Sequence, residues 1–242
     1  DALDWIGLAS GGKDHTDLPL QRIDVQAARM QLLGAEFSDT HVQVSPVAQG
    51  IAVQVQGSAI AGHLRIPEQS GASVSGQFER LYWALPAGAA NAVSQRLAAA
   101  SSAPIRDTLA PPAPVSATLI NSTNPAAIPP LALDVAELRF GGTPLGSARF
   151  RSSPIAGGLR VDEFRTSGGK QRLAATGSWL GKGDAARTQF RLDADSDDVG
   201  ALLAGFGLGG QLAGGKGRLT AAANWNGGPD AFDVTQLDAS LH

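Results

Sequence analysis

Ile23-Asp24-Val25, then a polar turn, then Ser45-Pro46-Val47-Ala48-Gln49-Gly50-Ile51-Ala52-Val53 is a phrase the chain uses twice. It returns as Leu133-Asp134-Val135, followed by Ser153-Pro154-Ile155-Ala156-Gly157-Gly158-Leu159-Arg160-Val161. Each copy is introduced by a proline step, Leu18-Pro19 or Pro129-Pro130. Ser-Pro followed by Gly at a fixed offset is turn chemistry, because Pro presets φ and Gly permits positive φ. An internal repeat of this kind is one supersecondary unit stacked on another, and it sets the frame for the rest of the chain.

Outward from the repeat, apolar and polar residues alternate with period two. Ile51, Val53 and Val55 share one side, with Gln54 and Gln56 on the other. The same alternation runs through Leu64 and Ile66, and through Leu159 and Val161. It recurs in Phe190, Leu192 and Ala194, and in Leu219, Ala221, Ala223 and Trp225. Such alternation marks strands with one apolar face and one wet face. Glycine turns separate them, as at Ser167-Gly168-Gly169-Lys170 and Asn226-Gly227-Gly228-Pro229. The fold expected is mainly β: an antiparallel meander forming a twisted, curved sheet or β-groove, with one or two short amphipathic helices.

Three segments break the pattern. Residues 89–100 are Ala-rich with Val93 and Leu97 four apart, which predicts a helix. Residues 101–130, rich in Pro, Ala, Ser, Thr and Asn, read as a linker or long loop. Over 198–206, Val199, Leu202, Leu203 and Phe206 follow helical spacing behind an Asp cap. The organisation expected is a first β unit over 1–100, the linker, and a second β unit over 131–242 with a closing hairpin.

Composition agrees and excludes several classes. The 242 residues contain 30 glycines and 14 prolines, above the roughly 12% of ordinary usage, as frequent turns require. Lys+Arg 19 against Asp+Glu 22 leaves a net charge of -3, without the basic surplus of a nucleic-acid binder. Cys 0 removes disulfides, thiolate metal sites and thiol nucleophiles. No apolar run approaches the roughly 20 residues that span a bilayer. The chain opens at Asp1-Ala2-Leu3 without a signal peptide and reads as a segment of something longer.

The motifs that resemble chemistry fail on context. Gly205-Phe206-Gly207-Leu208-Gly209-Gly210 matches G-x-G-x-x-G, but a helix precedes it where a dinucleotide site needs a strand. Gly210 to Gly217 approaches a P-loop through Gly215-Lys216, yet Gly217 replaces the metal-holding hydroxyl. Asp193, Asp195, Asp197 and Asp198 lack the Gly and Glu of a calcium loop and read as a strand end running into a helix cap. His15, His41, His63 and His242 are scattered, and no G-x-S-x-G elbow exists. Asn121-Ser122-Thr123 matches a glycosylation acceptor, a tripeptide common by chance. Phe78, Leu81, Tyr82, Trp83 and Leu85 form the most apolar patch, either core or a lipid or partner surface. No catalytic residue, metal ligand or cofactor site is assigned, so an enzyme is not expected.

Several phrases, taken in order, resemble the AsmA-like YhdP family. They are Gly62-His63-Leu64-Arg65-Ile66-Pro67 with Phe78-Glu79-Arg80-Leu81-Tyr82-Trp83, Pro129-Pro130-Leu131 with Leu145-Gly146, and Gly177-Ser178-Trp179. Asp198-Val199-Gly200-Ala201-Leu202-Leu203, Gly214-Gly215-Lys216-Gly217 and Trp225-Asn226-Gly227-Gly228-Pro229 continue the likeness. It runs from about Leu18 to Leu241. The resemblance implies the periplasmic portion of an inner-membrane-anchored protein of a Gram-negative bacterium. Its apolar β-gutter would carry phospholipid toward the outer membrane, membrane contact being made by regions outside this chain. Phospholipid acyl chains are then the expected partner, with envelope proteins a further one and nucleic acid excluded.

An apolar strand face must be hidden by closure, by a second sheet or by a ligand. Acyl chains can serve, at about 0.8 kcal/mol per buried CH₂. By strand parity the groove candidates are Ile51, Val53, Val55, Leu64 and Ile66 in the first unit. In the second they are Leu159, Val161, Phe190, Leu192, Leu219 and Ala221. The competing reading is a structural or assembly scaffold in which the same faces pack dry; the sequence leaves open groove and closed core both standing.

Overall fold

A computed structural model of the chain describes residues 22–32, 35–84, 124–141, 143–205, 214–229 and 237–241. They form one 12-stranded sheet with the strands side by side in chain order. The first unit supplies β1 (Ile23–Leu32), β2 (Ala35–Val47), β3 (Gly50–Gln56), β4 (Ile60–Pro67) and β5 (Val74–Trp83). The second supplies β6 (Leu131–Phe140), β7 (Thr143–Ile155), β8 (Gly158–Ser167), β9 (Gln171–Leu180) and β10 (Arg187–Ser196). β11 (Gly217–Asn226) and β12 (Leu237–Leu241) complete it. The fold is mainly β, as the alternation requires. β1 and β12 stand at opposite ends of the strand order, so the sheet is not closed.

The repeated phrase makes the same object twice, a long strand and a tight hairpin. Val47 pairs with Gly50 across Ala48-Gln49, and Ile155 pairs with Gly158 across Ala156-Gly157. The second turn residue is left-handed in both copies, φ 67° at Gln49 and φ 74° at Gly157. The prolines stand before the turns, inside the strands: Pro46 faces Ile51 and Pro154 faces Leu159. The polar turn expected between the halves of each copy is strand instead. β1 continues to Leu32 and β2 begins at Ala35, β6 continues to Phe140 and β7 begins at Thr143, and Ala35, Phe37 and Thr40 on β2 are buried.

One pairing departs from the meander. β5 and β6 run parallel, Phe78 opposite Val135 and Trp83 opposite Phe140, which joins the two repeat units in one continuous sheet. Just before β6 a 3-10 turn, Pro125–Ala127, is capped by the Asn124 side chain accepting from the Ala126 amide at 3.2 Å. The helix expected over 89–100 and the Pro-rich stretch to 123 lie outside the described residues. The second expected helix, over 198–206, is α1 (Val199–Gly205) with Asp198 as its cap; Phe206 lies outside the described residues. Asp198 Oδ1 accepts from the Ala201 amide at 3.0 Å, the N-cap bond that an aspartate there supplies.

The sheet bends toward its apolar side. Register irregularities fall between Ala61 and Gly62 on β4, between Val135 and Leu138 on β6, and between Arg151 and Ser152 on β7. Such bulges kink a strand and increase its twist. As a result Phe37, Ile60, Leu138, Leu145 and Leu202 pack in one cluster although they come from β2, β4, β6, β7 and α1. α1 covers one end of this face: Leu202 is fully buried, and the Thr143 hydroxyl donates to the Ala201 carbonyl at 3.0 Å.

Candidate functional site

Residues directly opposite on neighbouring strands point to the same face. Following those pairs across the sheet traces one row: Ile23, Val44, Val53, Leu64 and Gly76 in the first unit. It continues through Leu133, Phe150, Phe164, Ala175, Leu192 and Ala221 in the second. No polar side chain interrupts it from β1 to β11. Eleven strands at about 4.8 Å spacing make it roughly 50 Å long, more than the about 30 Å hydrocarbon core of a bilayer.

This row is half-buried except at Gly76 and Ala221, so apolar surface remains accessible along it. The row toward the α1 end is tighter: Val55, Phe78, Val135, Ala148 and Thr166 are buried. Toward the other end Ile66, Leu159, Trp179 and Trp225 are buried as well. The inner face is thus a shallow apolar trough with packed flanks.

All eleven residues picked by strand parity lie on this face. Ile51 faces Ile66, Val53 faces Leu64, and Val55 faces Gly62. Val161 faces Gly177, Leu159 faces Trp179, and Phe190 and Leu192 face Ala223 and Ala221. Leu219 faces Ala194. Ile23, Val44, Leu133, Phe150 and Phe164 belong to the same row and were not among them. Their signal was present in Arg149-Phe150-Arg151 and Glu163-Phe164-Arg165, where an apolar residue sits between two charges. The Phe78–Trp83 patch divides between faces. Phe78, Leu81 and Trp83 join the core, while Tyr82 turns outward, donates to Glu137 at 3.0 Å and lies under the Arg139 guanidinium, 4.5 Å from its centroid. Leu85 lies outside the described residues.

The opposite face is polar and largely self-paired. Asp24 accepts from Gln43 at 3.0 Å and pairs with His41, contacts that hold its carboxyl below the usual range, the His41 bond most of all. Asp134 takes Arg151 at 2.8 Å and Arg149 at 3.1 Å, and the Arg151 hydrogen bonds are the main reason its pKa is lowered. The Arg139 guanidinium, then the Tyr82 hydroxyl, do the same for Glu137. A depression of about 610 Å³ opens here, lined by His63, Glu79, Asp134, Arg149, Glu163 and Arg165 among others. Asp134 pairs with Arg149 there, and Glu163 with Arg165 at 3.2 Å, so its charges are largely compensated.

The acidic run is also engaged by protein groups. Asp193 accepts from Thr220 at 3.1 Å, Asp195 pairs with Arg218 at 3.2 Å, Asp197 with Lys216 at 3.1 Å, and Asp198 caps α1. Among the described residues no group of three His, Asp or Glu side chains could hold a metal ion. His41 and His63 are exposed on the polar face, and His15 and His242 lie outside the described residues. Residues 206–213, which carry most of the first glycine motif and half of the second, also lie outside them; Gly217 opens strand β11. The Asn121 tripeptide lies outside them too.

An open, one-sided β-sheet with a continuous apolar trough is the class of protein defined by this geometry. The chain belongs to the YhdP family, whose model, described as YhdP protein, matches residues 1–242. Membership implies an envelope location and is consistent with envelope lipid transport. No curated protein and no solved structure matches the chain. Among the described residues no helix is long and apolar enough to cross a membrane.

Proposed function

We propose that this chain is a section of a periplasm-spanning, inner-membrane-anchored protein of a Gram-negative bacterium, whose apolar groove binds and conducts phospholipid between the inner and outer membranes. The observation that carries this reading is the uninterrupted apolar row from Ile23 to Ala221, half-exposed on an open sheet. Exposed apolar surface of that extent is costly in water and calls for a covering. Acyl chains suit it, since a row without polar stops lets hydrocarbon slide at nearly constant free energy. The chain's own groups then act by burial alone, with no catalytic role and no cofactor.

A second reading, a non-enzymatic structural or assembly scaffold, draws support from the dry packing of Phe37, Ile60 and Leu202 at the α1 end. The two part on one experiment. Protein isolated from envelope membranes is extracted and its lipid measured by mass spectrometry, for the parent and for Phe164→Glu. Conduction predicts bound phospholipid in the parent and a several-fold loss in the variant. A scaffold predicts no stoichiometric lipid in either.

A further inference from the structure

Along β7 the inner face reads Leu145, Ala148, Phe150 and Ser152, one large ring among buried neighbours. Leu145 is 3% exposed, Ala148 9% and Ser152 4%, while Phe150 is half-buried. Other strands are more open. Gly62 and Leu64 on β4, Val161 and Phe164 on β8, and Phe190 and Leu192 on β10 each leave two successive inner residues half-buried. Ala148 and Ser152 stand about 13 Å apart along β7, so the accessible strip between them is a single side chain wide.

Two covers meet on this strand. At one end α1 packs against β7, the Thr143 hydroxyl donates to the Ala201 carbonyl at 3.0 Å, and Leu202 is buried. At the other end the 3-10 turn Pro125–Ala127 packs against β7, β8 and β9, with Pro125 buried. The burial there falls on the inner side. Ser152, Leu159 and Trp179 are buried, while Arg160 and Leu180, their outward neighbours, are exposed.

Phe150 itself stays in the apolar row, facing Leu133 on β6 and Phe164 on β8. An acyl chain crossing from the first unit to the second therefore meets one accessible inner side chain on β7, and that side chain is a rigid ring. We propose that Phe150 is the neck of the trough, the residue whose size sets the passage of acyl chains between the two units. This rests on the lipid-groove reading and adds to it the place where passage is limited.

The test places a photoreactive residue in the full-length protein in living cells, at Val53 on β3 or at Leu192 on β10, one on each side of β7. The parent is expected to give phospholipid crosslinks at both sites. Phe150→Trp is expected to shift the ratio between them several-fold, as lipid collects on the supply side of the neck and falls on the other. Phe164→Trp makes the same enlargement one strand over, where Val161 widens the strip, and is expected to leave the ratio near the parent's. Phe150→Tyr adds only a hydroxyl to a half-exposed ring; it should shift the ratio in the same direction and carries the test if the Trp variant does not fold. An unchanged ratio in the Phe150 variants, or an equal shift in Phe164→Trp, overturns the neck and leaves the groove reading intact. No phospholipid crosslink at either site in the folded parent overturns both.

Discussion

The rings of Phe37 on β2 and Trp83 on β5 meet edge to face, 6.1 Å apart at 86°. Two strands separate theirs, so a flat sheet would hold the backbones about 14 Å apart. Their contact therefore records the inward bend that makes a trough of a single sheet. Phe37 is 1% exposed, and Phe37→Ala is expected to cost about 3–5 kcal/mol, the range for emptying a packed aromatic site. Denaturant titration of parent and variant measures it; a loss under 1 kcal/mol would mean that this wall does not hold the bend.

Two glycines on the inner face predict opposite tolerances. A Cβ at Gly62 would meet the Gln77 carbonyl oxygen at 2.5 Å and the Phe78 Cα at 2.6 Å, both backbone. At Gly76 it would meet Leu64 Cδ2 at 2.6 Å and Leu133 Cδ2 at 2.9 Å, the ends of flexible side chains. Gly62→Ala should lower stability by more than about 2 kcal/mol, and Gly76→Ala by about 1 kcal/mol or less. Thermal melts of the pair check the order.

The hairpin copies differ at one informative position. Gln49 adopts φ 67° where the second copy has Gly157, and a residue with a Cβ is disfavoured there by about 1 kcal/mol. Gln49→Gly is expected to raise stability by about 0.5–1 kcal/mol, read as a shift in denaturant midpoint at constant slope. Gly157→Gln should lower it by a similar amount.

That pair of turns also shows how far the sequence could be read. The repeat located both hairpins because local turn chemistry and period two act over a few residues. The apolar face of each strand followed from the same period, since parity alone sets Val53 with Ile51 and Val55; that Val53 lies beside Leu64 and Leu192 beside Ala221 is a matter of register, which the period does not carry. The direction of β6 against β5 was not readable, because both strands alternate alike whichever way they run. The buried Ser152 hydroxyl and Trp179 indole N–H, without hydrogen-bond partners among the described residues, were equally hidden: each looks ordinary until strands β7, β8 and β9 set them on one face. The bend at Phe37 and Trp83 depends on bulges that leave no fixed residue signature.

Acid should weaken the polar face through Asp134. The hydrogen bonds from Arg151 and Arg149 lower its folded pKa below the ordinary 3.8. Its contribution is therefore full above that value and is lost as pH falls through the depressed folded pKa. Asp134→Asn is expected to cost about 0.5–1 kcal/mol at neutral pH, the worth of a half-exposed pair. The difference between parent and variant should shrink below about pH 4; a pH-independent difference would locate the effect elsewhere.

Site-specific photocrosslinking in living cells tests the central claim most directly, with the photoreactive residue placed in turn at Val53, Val161, Gln54 and Arg160. Val53 and Val161 lie on the inner face, half-buried, and Gln54 and Arg160 next to them are exposed on the other. Crosslinks to phospholipid from Val53 and Val161 at several times the yield from Gln54 and Arg160 are the predicted result. Crosslinks from the outer positions alone, or none from the inner ones in folded protein, would contradict the groove.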